Sequence, residues 1–463
     1  MRIILALMIC GTFSFAGDST YDRFFTGRTM RVDLIHTGTA DEEIYSLDQI
    51  LAEGEWPGSP NALLDTLNLG KYLFKVYDTA TNRLVFSRGF CTVFGEWQTT
   101  PEAKSGVRRS MHETVRFPFP REKVQLCIAS RDRDNVFRDT FSLVIDPDDR
   151  GIRRETVTRS CRSEKIIDHG PPAEKVDLLL LGDGYRAEEM ETFRAHARHY
   201  TRLLFETTPF RERCKEFNVW IIEAVSEESG IDQPRENRWQ RTALGTSYNS
   251  FDSPRYVLTL ENKTLRDISA AVPYDCIYIL THSSRYGGGG IFNWFATCYT
   301  GRENDDPAWW SDYVFVHEFG HLFAGLGDEY YTSNVSYDEF YPLDVEPWEP
   351  NLTTTINRDE LKWRSLIDPG TPVPTPWNKA AYDSLSTLLR RSKNNSGIAE
   401  QIRRIREQSP WSAKAGCFEG AGYQTEGLYR PAIDCRMFSK SLVDFCPVCR
   451  EAIERMIDFT TGK

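Results

Sequence analysis

Val316-His317-Glu318-Phe319-Gly320-His321 places two histidines four residues apart, with a glutamate directly after the first. On a helix, positions four apart share a face, so both imidazoles can converge on one ion. Imidazole suits zinc, and a catalytic zinc keeps one coordination position open. Zinc lowers the pKa of bound water towards about 7, and a carboxylate beside it takes the proton. The pattern assigns His317 and His321 as ligands of one catalytic Zn2+ and Glu318 as the general base. Two protein ligands do not hold such an ion; a third is needed. Downstream, Gly325 and Gly327 are expected to end the helix and turn the chain back beneath the metal. Asp328 is the first donor after that turn and is the candidate third ligand. Glu329 is the alternative, and whichever is not the ligand is left to orient a histidine.

These residues need a scaffold. Residues 176–181 (VDLLLL) form a continuous apolar run, as expected of a strand covered on both faces. Met190, Phe193, Ala197, Tyr200 and Leu204 recur at spacings of three and four and mark one face of a helix. Residues 217–224 and 275–281 read as further strands. Strand-helix-strand order points to an α/β domain with a mixed sheet over residues 161–463. The preceding residues, 17–160, read as an all-β, sandwich-like domain. Residues 71–78 and 83–94 flank a polar turn, and 114–119, 124–130 and 140–145 are strand-like. The boundary is expected within the polar stretch 146–173. His36 and His112 stand alone in this part and read as surface or packing residues.

The chain of 463 residues carries 56 Lys plus Arg against 67 Asp plus Glu, a formal charge of −11. That balance argues against nucleic-acid binding, which needs clustered cations. Arg2, the apolar run 3–10 and Ser14-Phe15-Ala16 form a secretion-signal pattern, with cleavage expected after Ala16. No later run approaches the roughly 18 apolar residues of a membrane span. The mature protein is expected to be secreted, with a protein or peptide substrate. Eleven cysteines become ten once Cys10 leaves with the signal. In an exported chain that number favours disulfides. Cys446-Pro447-Val448-Cys449, with Cys417 and Cys435 upstream, also fits a redox pair or a four-thiolate zinc. Asp305-Asp306 reads as an acidic surface turn rather than a calcium site.

At the histidine motif the chain resembles the M64 metallopeptidases, the family named for bacterial IgA peptidases. The resemblance rests on HEFGH followed by GLGDEYY. It extends through LLLLGDGYRAEEM, FNVWIIEA, VPYDCIYIL, YGGGGIFN, EPWEPNLTT, FEGAGY, LYRP, DCRM and FCPVC over most of residues 175–460. It implies a metzincin-like zincin domain with a twisted sheet, an active-site helix and a cleft, preceded by the family's own β domain. It also implies a methionine turn beneath the zinc, here at Met437. The metzincin motif H-E-x-x-H-x-x-G-x-x-H is not kept: Ala324 and Gly327 stand where glycine and the third histidine belong. Residues 286–293 resemble the segment leading to the edge strand above the cleft. Glycines there would let a substrate backbone pair as an added strand, or they form a surface loop. Tyr330, Tyr331, Tyr423, Tyr429 and Arg436 are candidates for stabilising an oxyanion. The family name offers immunoglobulin A as a substrate. The competing readings are an aminopeptidase, marked by a closed pocket with an acidic amine-binding group, and a non-catalytic surface-binding or adhesion protein with a vestigial metal helix. An intact Glu318 argues against the last.

Overall fold

The computed structural model describes residues 20–154, 161–301, 309–332, 340–392, 395–412 and 414–463. The expected signal (1–16), Cys10 and Asp305-Asp306 lie outside the described residues.

The N-terminal part is β-rich. After the short helix α1 (Thr20–Phe24), β1 (Phe25–Gly38) pairs antiparallel with β2 (Glu43–Glu55) on one side and β5 (Arg109–Pro120) on the other. A second antiparallel sheet contains β3 (Tyr72–Asp78), β4 (Arg83–Phe90), β6 (Val124–Arg131) and β7 (Phe137–Ile145), in the order β4-β3-β6-β7. Buried and half-buried residues alternate along β3, so one face carries Tyr72, Phe74 and Val76 inward. These share a core with Met30, Val32 and Leu34 of β1, and the Phe74 ring lies 6.4 Å from Phe117 of β5. The expected strand 83–94 stops at Phe90. Thr92 then caps α2 (Val93–Trp97), its Oγ1 accepting the Gly95 N–H at 3.1 Å. Thr100 caps α3 (Pro101–Lys104) in the same way.

The C-terminal part is built on a six-stranded mixed sheet. It comprises β8 (Arg162–Ile167), β9 (Val176–Asp183), β10 (Phe217–Glu223), β13 (Cys276–Thr281), β14 (Gly288–Ile291) and β15 (Phe295–Tyr299), in the order β14-β15-β13-β9-β10-β8. The four inner strands are parallel, and the edge strands β8 and β14 run antiparallel to their neighbours. The stretch 146–173 thus includes a strand of this sheet. A short ladder of β11 (Thr246–Ser247) and β12 (Leu258–Thr259) lies between β10 and β13 in the chain. Every residue of β9 is buried. Its side chains divide by the strand's period of two. Leu178 and Leu180 pack with α4 (Met190–Glu206) and α6 (Trp309–Ala324). Leu179 and Leu181 join the core of the N-terminal sheets and α5 (Asn262–Ser269). α4 buries Met190, Phe193, Ala197, Tyr200 and Leu204, the face its spacing predicts.

α6 is apolar on nearly all sides and lies inside the molecule, as such a helix must. Phe315 stacks on Tyr278 of β13 at 4.3 Å, and Phe319 lies 5.3 Å from Phe210. The remainder is loop-rich: α7 (Lys379–Arg391), α8 (Ser396–Glu407), the hairpin of β16 (Phe418–Ala421) and β17 (Gln424–Arg430), and α9 (Pro447–Thr461), which packs on α6. Among the described residues, no helix is long and apolar enough to cross a membrane.

Among the described residues, Cys91, Cys127, Cys214, Cys276, Cys298, Cys417, Cys435, Cys446 and Cys449 form no disulfide. The disulfides expected of an exported chain are not formed among these nine: Cys417, for instance, turns its sulfur towards the Thr355 carbonyl at 3.9 Å.

Candidate metal centre and cleft

His317, Glu318 and His321 occupy the last two turns of α6, where an otherwise apolar helix reaches a cleft. Gly325, at φ +60°, takes the chain out of the helix, its N–H still bonded to His321 O at 3.1 Å. Gly327 acts differently. Its N–H and carbonyl bond to the buried Asn351 side chain at 2.7 and 2.9 Å, and a Cβ there would meet Leu352 at 2.4 Å. The chain returns beneath the histidines and presents Asp328.

Three donor atoms then face one another. Asp328 Oδ1 lies 3.0 Å from His317 Nε2 and 3.2 Å from His321 Nε2, and the two Nε2 atoms are 3.2 Å apart. Ligands at about 2.0–2.1 Å from a tetrahedral zinc would be separated by about 3.3 Å. The opposite nitrogens fix the tautomers. His317 Nδ1 lies 3.1 Å from Arg436 O, and His321 Nδ1 lies against Leu326 O. A carbonyl only accepts, so each Nδ1 carries the proton and each Nε2 turns a lone pair inward. Tyr313 Oη also meets His317 Nδ1, at 3.1 Å. Asp328 Oδ1 is buried without a hydrogen-bond donor among the described residues. Two lone pairs and a carboxylate oxygen aimed at one point repel unless a cation sits between them. These residues therefore fit a metal ion.

The electrostatics agree. Burial disfavours an ionised Asp328, yet His321 and His317 outweigh it and hold the carboxyl well below the usual range. Burial also disfavours charge on His321, but Asp328 pulls that imidazole up to about 9. In the absence of metal a proton thus takes the cation's place. Burial pushes Glu318 upward, opposed by the two histidines.

Glu329 does not reach this centre. It lies with Cys435, Cys446 and Cys449 in a separate buried group, and its N–H donates to Met437 O at 2.9 Å. Met437 is fully buried beneath α6, its sulfur 3.0 Å from where a Cβ on Gly320 would stand. The oxyanion candidates separate. Tyr423 Oη donates to Asp328 Oδ2, which orients that carboxylate. Tyr330 lies beside His317 with its ring centroid 6.1 Å away, on the cleft wall. Tyr331 donates to Asp383, Tyr429 pairs through its backbone with Thr353, and the Arg436 guanidinium bonds Val443 O, so none of these serves the cleft.

Arg255 escapes sequence reasoning. It lines the cleft beside Tyr330, its Nη2 3.4 Å from Tyr330 Oη, and no motif or spacing links it to the helix. Its carbonyl accepts the Gly288 N–H at 3.1 Å, which ties it to β14. The glycines of β14 have a packing reason: a Cβ on Gly290 would stand 2.4 Å from Glu318 O and 3.0 Å from His321 Cβ. They let the strand lie directly on α6. At Gly288 the outer edge of β14 is already bridged to Tyr256. The cleft measures about 1060 Å³. One wall comes from the N-terminal part, through Lys71, Glu96, Gln98, Arg131 and Asn135.

A helix carrying two imidazoles and a carboxylate, closed by a carboxylate from the returning chain, is the donor arrangement of a mononuclear hydrolytic metal centre. The family model described as IgA peptidase M64 matches residues 165–457, and the peptidase M64 N-terminus matches residues 20–142. The chain belongs to peptidase family M64. No protein of curated function matches it.

Proposed function

We propose that this protein is a secreted zinc-dependent endopeptidase that hydrolyses extracellular proteins. The observation that carries the reading is the inward-facing triangle of His317 Nε2, His321 Nε2 and Asp328 Oδ1, with both Nδ1 protons spent on backbone carbonyls. These three residues would hold the zinc, which when bound polarises the scissile carbonyl and acidifies water. Glu318 takes the proton from the attacking water and returns it to the leaving amine. Its burial-raised pKa suits it to holding that proton between the two steps. Tyr313 and Arg436 O keep His317 in the ligating tautomer, and Tyr423 holds Asp328. Arg255 and Tyr330 stand where they can donate to a developing oxyanion. Gly290, on the outer β-edge of the cleft, is placed to pair with a substrate backbone.

The remaining parts of the reading follow the sequence. The catalytic domain, 161–463, is taken as metzincin-like with Met437 as its floor. Residues 17–160 are read as a sandwich-like β domain. Export rests on the apolar leader. An endopeptidase is preferred to an aminopeptidase because residues of both parts of the chain line one large cleft.

Casein hydrolysis by the mature chain, with and without a chelator, is the direct test. Chelation should abolish cleavage and zinc should restore it. Hydrolysis that survives both chelation and Glu318→Ala would refute the mechanism. Immunoglobulin A belongs in the substrate panel, and proteome-wide mapping of cleaved bonds would define the preference.

A further inference from the structure

We propose that the protein holds a second, structural zinc ion in a sealed site formed by Cys435, Cys446, Cys449 and Glu329. The four side chains come from three separate segments: the loop after α6, the turn before Met437, and the start of α9. Cys435, Cys449 and Glu329 are fully buried, and Cys446 is 4% exposed. Their donor atoms all lie within 4.8 Å of one another. Cys435 Sγ and Cys449 Sγ are 3.8 Å apart, and Glu329 Oε1 is 3.1 Å from Cys449 Sγ and 3.9 Å from Cys446 Sγ. At a zinc–sulfur distance of about 2.3 Å, tetrahedral geometry sets sulfurs about 3.8 Å apart. A disulfide would need about 2.05 Å.

Two further observations point to a cation. Glu329 Oε2 is buried with no hydrogen-bond partner among the described residues, which is costly for a carboxylate that merely packs. The sulfurs are also arranged as thiolates. Cys446 is the N-cap of α9 and Cys449 lies in its first turn, where the helix dipole favours negative charge. The Cys446 N–H points at Cys435 Sγ, 3.3 Å away, as amides do around metal-bound sulfur. Three thiolates and one carboxylate in a tetrahedral arrangement select zinc among common biological cations. Binding releases the thiol protons to solvent. A redox role fits less well, because a partner thiol has no path to sulfurs this deeply buried.

The position gives the site a purpose. Glu329 follows Asp328 in the chain, and Cys435 precedes Arg436, whose carbonyl holds His317. An ion joining Glu329 to Cys435 would brace a ligand and a ligand's support together. These four are positioning residues and touch no substrate.

Zinc counting on the purified mature chain, kept under mild reductant, tests this. The wild-type chain should hold two zinc equivalents. His317→Ala with His321→Ala should leave one. Adding Cys446→Ser and Cys449→Ser should remove that one as well. Because the cysteine variants can misfold, cobalt(II) is also exchanged into the histidine-pair variant, where a sulfur-to-cobalt charge-transfer band is expected. Unfolding that variant in denaturant beside a metal-binding dye should then release one equivalent of metal. A folded histidine-pair variant with no zinc and no such band would overturn the proposal. So would a disulfide among Cys435, Cys446 and Cys449 in the native peptide map.

Discussion

Asp328 and Glu329 are neighbours in sequence, yet their carboxylates enter different clusters. Asp328 meets two imidazoles on the wall of a cleft. Glu329 meets three sulfurs in a space closed to solvent. Nitrogen and oxygen donors with one side facing a cleft leave room for a reacting molecule. A closed set rich in sulfur leaves none, and can only hold the chain in place. The contrast teaches that access separates the two clusters more than the number of donors does. Two adjacent carboxylates also let one short loop serve both tasks.

The strongest way to break this contrast is at the base. Glu318→Ala should lower casein hydrolysis by about 10²–10⁴-fold while the zinc count and melting temperature stay unchanged. Equal activity would remove Glu318 from the chemistry. Tyr313→Phe deletes a contact to His317 Nδ1 and should cost about 10–100-fold in activity or in zinc affinity at the cleft. Zinc in the sealed cluster should not change. Gly290→Ala would force β14 away from α6 and should destabilise the fold by about 1–3 kcal/mol in denaturant titrations, with a parallel loss of activity.

The smallest effect is one of pH. In the metal-free protein His321 is raised from 6.5 to about 9 by Asp328, against the effect of burial. A raised folded-state pKa gives stability that is complete below pH 6.5 and lost as pH rises towards about 9. The melting temperature of the metal-free protein should therefore fall across that window, while the zinc-loaded protein stays level. Zinc affinity at the cleft should rise across the same window as the competing proton leaves. A metal-free curve flat over that window would mean that His321 carries no proton there.

Legibility from sequence followed the range of the interactions. His317, Glu318 and His321 sit within two helical turns, so their spacing exposed them. β9 and α4 were equally readable, because VDLLLL and the 3-4 spacing from Met190 to Leu204 are local signals. β1 and β2 were not. Their buried Arg31, Asp33 and His36 look exposed until remote partners are known: Arg31 pairs with Asp267 at 2.8 Å, and His36 packs between Tyr45 and Phe94. Arg255 reaches the cleft only through the pairing of its strand neighbours with β14. The cysteines misled for a related reason: exported compartments favour disulfides on average, but these sulfurs are held near Glu329, a residue more than 100 positions away in the chain. The choice between Asp328 and Glu329 needed three dimensions, since adjacent residues differ by no spacing rule.

The wall contributed by Lys71, Glu96, Gln98, Arg131 and Asn135 carries one more consequence. Asn135 grips Glu346 O at 2.9 Å, and Tyr256 donates to Glu96, so this wall is fastened to the cleft it borders. None of its residues belongs to the reacting set. Stretches far apart in one polypeptide thus line the same cleft, the metal-facing donors on one and this wall on the other. Substitutions within 91–99 and 131–135 therefore change the shape and charge of the cleft wall while leaving His317, Glu318, His321 and Asp328 in place.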